Sequence, residues 1–300
     1  MKIKQSVAIP KNAVTFIFGV STLIALALRL YQVFGGLIDT ETGFYVEKNF
    51  SVYALYGVIV IGCALMAILS FLSKDSSDMS IRQGSDIPVV VSSSVLSVVM
   101  IFDSLYALFG AALSPTESVA NGFELFQSLM RNGTLPMLGE SFFALLSALY
   151  FVVFASSHVK GTAGYEKRKI LALAPVVWAA FRMIRLFVRQ IKYTNVSDLL
   201  LELFLVACLL IFLLAFAQSA SKVYDEGVGW RLTGFGYPCA LLCIVTAVPR
   251  LLLVITGKPL VANHPLYPCD IALAALVISI ALSKNNSSNT TLNGEQTDVS

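Results

Sequence analysis

Apolar residues in this chain do not alternate with polar ones; they come in long runs. Eight stretches, at 13–34, 51–73, 87–111, 139–158, 170–190, 198–221, 232–256 and 267–283, are apolar nearly throughout. A helix rises ~1.5 Å per residue, so ~20 residues cross the ~30 Å hydrocarbon core of a bilayer. Continuous runs without a period of two specify spanning helices, not barrel strands, since a helix satisfies its own backbone polar groups within lipid. The pattern therefore predicts an all-α polytopic bundle of eight transmembrane helices over 1–284. The polar, aperiodic stretch 285–300 is expected to be a disordered cytoplasmic tail.

Composition sharpens this. Hydrophobic residues make up 57% of the 300 positions and charged residues 13%, against ~45–50% and ~25% in soluble domains. No soluble fold of this size hides so much apolar surface, so the lipid bilayer is the expected partner. A net charge of +3 is too slight for a nucleic-acid surface. Lys2, Lys4 and Lys11 precede the first run as in a signal peptide, but that run reaches Phe34 and contains Arg29, too long for an h-region; an uncleaved helix is expected.

Positive charge sets the orientation. With the N-terminus cytoplasmic, the inner segments hold twelve Lys and Arg: Lys2, Lys4, Lys11, Lys74, Arg82, Lys160, Lys167, Arg168, Lys169, Lys222, Arg231 and Lys284. The outer segments hold four, Lys48, Arg131, Lys192 and Lys258. Both termini are thus expected in the cytoplasm. In the longest outer loop, Ser114-Pro115-Thr116-Glu117 reads as a helix start, and Val119, Phe123, Phe126 and Met130 form one apolar stripe before Gly133. A short amphipathic helix on the outer surface is expected there, packed on the rim or lying as a lid.

The chain also echoes itself. Aligning 140–160 with 202–222 matches Glu140 with Glu202, Phe142 with Phe204, Phe154 with Phe216 and Lys160 with Lys222. In the odd-numbered spans, Arg29, Asp103, Arg185 and Arg250 each precede the outer end by roughly one and a half to two turns. Four repeated helical hairpins would produce this pattern. The run Asp39-Thr40-Glu41-Thr42-Gly43-Phe44-Tyr45 after an Arg29-containing first helix, with Pro175-Val176-Val177-Trp178 and Phe181-Arg182 further on, resembles a family of uncharacterised multi-pass membrane proteins of anaerobic Gram-positive bacteria. That resemblance implies a bacterial cell membrane and carries no activity with it.

Charge within the spans is the chemistry this sequence offers. Each lone charge near mid-bilayer costs about 2.5–3.5 kcal/mol on insertion scales, so such groups are paired or functional. Arg29, Arg182, Arg185, Arg189 and Arg250 face Asp103, Glu140, Asp198, Glu202 and Asp270, all from mid-membrane outward in the expected orientation. Arg182, Arg185 and Arg189 are three and four apart and share one face of the fifth helix, with Asp103 and Glu202 as their expected partners.

Two readings follow. Arg29, Asp103, Arg182, Arg185, Arg189, Glu202, Arg250 and Asp270 bind or pass a small anionic or zwitterionic solute in an outer cleft, or they form an internal salt-bridge lattice in a non-catalytic structural or regulatory protein. Ser93, Ser97 and Ser104 on the third helix, and a seventh span broken by Gly234, Gly236, Pro238 and Pro249, would line such a path. No nucleophile motif adjoins His158 or His264, expected on opposite loops, and Cys239 and Cys243 lack further ligands. No enzyme activity, metal or cofactor is therefore expected. Reporters fused to either end should both read as cytoplasmic in a topology assay; a translocated C-terminus would mean an odd number of crossings.

Overall fold

The computed structural model describes residues 12–39, 43–46, 49–73, 86–113, 129–130, 133–161, 164–166, 168–188, 196–223, 227–261 and 266–297. They form eight helices: α1 (Asn12–Phe34), α2 (Phe50–Leu72), α3 (Ile87–Leu113), α4 (Thr134–Val159), α5 (Ala174–Val188), α6 (Val196–Ala220), α7 (Val228–Ile255) and α8 (Pro268–Thr297). A 3-10 turn, Leu171–Leu173, leads into α5. Among the described residues there is no β-strand beyond one isolated bridge, Ile38 with Tyr45. The all-helical expectation holds.

Seven of the eight helices are long and apolar enough to cross a bilayer. The eighth differs. Its apolar part is Pro268–Leu282, about 22 Å at 1.5 Å per residue, short of the ~30 Å a full crossing needs. Its backbone stays helical to Thr297, where irregular chain was expected from Asn285. Extending a formed helix adds a hydrogen bond for each residue fixed, without the cost of a new nucleus. Of the outer helix expected over 114–133, only 129–130 and Gly133 are described, the pair helical and Gly133 at a φ of 74°; the rest lies outside the described residues, as do Arg189 and His264.

Packing closes six helices into a ring: α3 on α4, then α5, α6, α7 and α8, which returns to α3. The α1–α2 hairpin lies outside this ring with both helices against α7. Side chains fill the middle. Tyr150, Phe151 and Phe154 of α4 meet Phe216 of α6 across the ring, and all four are essentially unexposed. The outer surface carries the opposite pattern, with Phe16, Leu23, Tyr53, Ile61, Phe102 and Tyr106 pointing away from the bundle. An apolar core inside an apolar exterior is the arrangement lipid demands.

Helix α7 is the most enclosed of the spans, and it is not broken. Pro238 and Pro249 both lie inside a continuous helix. Its glycines serve close approach instead: a Cβ on Gly236 would meet Phe212 at 3.1 Å and Val277 at 3.2 Å, and one on Gly234 would meet Ser70 at 3.2 Å. Pro175 falls in the first turn of α5, where its missing N–H costs nothing, so it starts the helix and does not kink it. The α3 serines are spent on carbonyls: Ser97 donates to Ala148 of α4 at 2.9 Å, while Ser93 and Ser104 bond back to Val89 and Met100 on their own helix. They tie backbone together and mark no path.

Gly139 brings α4 close against α5. A Cβ there would lie 2.4 Å from the Phe181 ring, which is itself stacked on Phe143 at 5.4 Å and has little room to retreat. Gly139→Ala should cost about 1–3 kcal/mol through overpacking, seen as a lower thermal midpoint of the detergent-solubilised protein.

Candidate functional site

The N-terminal ends of α4, α6 and α8 and the C-terminal ends of α1, α3, α5 and α7 meet at one end of the bundle, and the described charges within the spans lie toward it, apart from Arg231 in the first turn of α7 at the opposite end. They form two groups.

The first group joins α1, α6 and α7. Arg29 is ion-paired through Nη2 to Asp198 Oδ1, and both side chains are less than a tenth exposed. Arg250 Nη2 lies 2.7 Å from Glu202 Oε1 and 4.0 Å from Asp198 Oδ2. Asp198 and Glu202 are one turn apart on α6 and so present both carboxylates to the two arginines. Two positive and two negative charges make this quartet neutral, which is how a buried ionic group avoids an uncompensated charge.

A loop residue completes it. Between α1 and α2, Asp39 N–H donates to Phe44 O at 2.9 Å and Val46 N–H to Leu37 O at 3.0 Å, folding the chain back on itself. Gly43, at a φ of 73°, takes a backbone conformation that a side chain would strain. Ile38 and Tyr45 pack on Leu253 in the last turn of α7 and on Val261 in the segment that follows it. This docking brings the Tyr45 hydroxyl to Arg29 Nη1 at 3.2 Å, and the same hydroxyl donates to Gln32 Oε1 at 3.1 Å. Gln32 in turn donates to the Ser51 carbonyl at 3.0 Å, linking α1 to the start of α2. Burial pushes the Tyr45 hydroxyl up to about 12 against the opposing pull of Arg29, so it remains a neutral phenol.

The second group joins α3, α4, α5 and α8. Arg182 meets Asp270 with two bonds, Nη1 to Oδ1 at 2.6 Å and Nη2 to Oδ2 at 2.9 Å, both residues nearly unexposed. This fork matches a carboxylate as no lysine can. Arg185 Nε lies 2.7 Å from Glu140 Oε2 in a more open position, with the arginine 23% exposed. Tyr267 stands beside both guanidinium groups, its ring centre 4.9 Å from Arg182 and 5.4 Å from Arg185. Asp103 on α3 approaches the thiol and backbone N–H of Cys269 in the first turn of α8.

The expected partners of the fifth-helix arginines are therefore corrected. Glu202 serves Arg250, Glu140 serves Arg185, and Asp270 serves Arg182; among the described residues Asp103 is in direct contact with no arginine. Sequence reasoning did not assign Gln32, Tyr267 or Tyr45 to the site, although Tyr45 lies in the run that carries the family resemblance. The signal for the ion pairs was present in the internal repeat. Glu140 and Glu202 align, as do Arg185 and Arg250, and each glutamate pairs with the arginine of the next helix in the chain.

Elsewhere the candidates are structural. His158 is not on a loop: it closes α4, buried, with Nδ1 at 3.1 Å from the Phe154 carbonyl and its ring stacked on Tyr165. All five cysteines are buried as free thiols, and no group of three or more potential metal ligands occurs among the described residues. No protein-family model, curated protein or solved structure matches this chain. Fold and site together define a multi-pass membrane-type helical bundle with a charged interior at one end.

Tyr45→Phe should remove the hydroxyl that bridges Arg29 and Gln32 while leaving the apolar docking intact. A cost of about 0.5–1.5 kcal/mol is expected, together with faster proteolysis of the 37–46 loop than in the parent protein.

Proposed function

We propose that this chain is an integral protein of the cell membrane, both termini cytoplasmic, whose intramembrane charges form a lattice fixing the order of its helices, in a non-catalytic structural or regulatory role. One observation carries the reading: Arg29, Arg182, Arg185 and Arg250 each contact a carboxylate from a different helix. Two of these pairs, Arg185 with Glu140 and Arg250 with Glu202, staple helices that already pack together. The other two, Arg182 with Asp270 and Arg29 with Asp198, reach between helices that are not main packing partners. Lipid offers no hydrophobic force to order helices against one another, so such pairs supply the specificity.

A second reading rests on the closed ring. Arg182, Asp270, Arg185 and Glu140 are gathered where α4, α5 and α8 meet, and Arg185 keeps part of its surface exposed. A small anionic or zwitterionic solute carrying a carboxylate would compete there with Glu140 for Arg185. In this reading Arg29, Arg250 and Glu202 hold the neighbouring helices in register.

Exchanging the two charges separates the readings. Arg182→Asp and Asp270→Arg should each destabilise strongly alone, since breaking a buried pair costs about 3–5 kcal/mol. The double exchange should recover most of the lost thermal stability. If each single variant folds normally and only solute-dependent stabilisation is lost, the lattice reading fails and the solute reading stands.

A further inference from the structure

The opposite end of the bundle, where α2 connects to α3, α4 to α5 and α6 to α7, carries charge of another kind, exposed and unbalanced. By sequence, 160–170 between α4 and α5 holds four cations and one acid, whereas 73–86 holds two cations against three acids and 221–231 holds two against two. Of the four cations, Lys167 lies outside the described residues, and Lys160, Arg168 and Lys169 are all exposed. None of these three is ion-paired to a carboxylate among the described residues; the acid of the turn, Glu166, is engaged by Lys222 instead, at 2.9 Å.

The turn is docked, not loose. Tyr165 is only 3% exposed, its ring stacked on His158 and 5.2 Å from Phe154 at the end of α4. A Cβ on Gly164 would lie 3.0 Å from Ser157 Oγ, so the chain there runs close against the helix. Lys222, which ends α6 at a φ of 49°, fastens the turn from the other side through Glu166. Beyond Tyr165 the backbone coils, with Arg168 N–H donating to the Tyr165 carbonyl and Ala172 N–H to the Arg168 carbonyl. Apolar side chains flank the cations directly: Val159 precedes Lys160 and is 62% exposed, and Ile170 follows Lys169 and is 88% exposed. Positive charge biases insertion whatever shape its loop takes. A fixed turn that sets cations between outward apolar residues does more, since it holds them at the depth where hydrocarbon gives way to phosphate.

We propose that the 160–170 turn is a docking surface for anionic phospholipids, with Lys160, Arg168 and Lys169 on the headgroup phosphates and Val159 and Ile170 against the first carbons of the acyl chains. The chemistry favours a lipid over a soluble anion because charge and apolar surface alternate within single residues of one another. Arg168 supplies the planar fork that suits a phosphate, and the two lysines supply point charges on flexible stems. The proposal goes beyond the lattice reading, whose ion pairs lie at the other end of the bundle, and does not require a solute.

Native mass spectrometry of the full chain in detergent tests it. Phosphatidylglycerol and phosphatidylcholine with the same acyl chains are titrated separately, and the fraction of protein that keeps a lipid is read for each. A cation near a membrane surface is worth about fivefold in affinity, so the parent should prefer phosphatidylglycerol on the order of a hundredfold. Lys160→Gln, Arg168→Gln and Lys169→Gln together should remove most of that preference and leave phosphatidylcholine binding unchanged. These side chains are exposed, so the triple variant should keep the parent thermal midpoint. A charge-conserving triple, Lys160→Arg, Arg168→Lys and Lys169→Arg, should bind phosphatidylglycerol within a fewfold of the parent, which separates loss of charge from loss of fold. Equal retention of the two lipids by the parent, an undiminished preference in the glutamine triple, loss of the preference in the charge-conserving triple, or displacement of the lipid by inorganic phosphate alone would overturn the proposal. The lattice reading stands or falls on the charge exchange at the other end, independently of this result.

Discussion

A charge in hydrocarbon must find its opposite, and in this protein each opposite comes from another helix. That constraint organises the charged end of the bundle. Arg182 and Asp270 are both nearly unexposed and forked together; either one alone would leave an uncompensated buried ion. The attraction between ions in so poor a dielectric is large, but so is the cost of removing each from water. What the pairs provide above all is discrimination among helix arrangements, since a misplaced helix would strand at least one guanidinium.

The two halves of the bundle solve different packing problems. At the charged end, polar side chains reach across gaps, and Tyr267 and Tyr45 shield them with aromatic surface while contributing a π face or a hydroxyl. Toward the other end, Tyr150, Phe154 and Phe216 fill the ring by edge and offset contacts between rings. Small residues then let the helices close on this filling, as Gly236 does against Phe212 and Val277. The 37–46 loop is held by both kinds of force, with Ile38 in an apolar pocket and Tyr45 on the arginine.

Asp103 stands apart because it obeys the depth rule of the lattice and not its pairing rule. It sits where the repeat places arginine, it meets a thiol and an amide in place of a guanidinium, and it is less enclosed than Asp198 or Asp270. A bundle built only for rigidity has no evident need of such a group.

The spans, their helical state and the gathering of charge at one end were legible in the sequence, because each depends on local facts: the length of an apolar run, and the depth of a residue within it. The pairing was not. Asp103 and Glu202 were the expected partners of Arg185, and Glu140 is the actual one, since depth along an axis says nothing about azimuth around the bundle. Only the closing of α3 through α8 into a ring decided which carboxylate faced which arginine. The same holds for Tyr45, which by sequence only follows the first span, and which becomes part of the site because tertiary docking on α7 places its hydroxyl on Arg29. Partition between water and lipid is a one-dimensional energy that a sequence states directly; contact between distant segments is a three-dimensional one that exists only once the chain has packed.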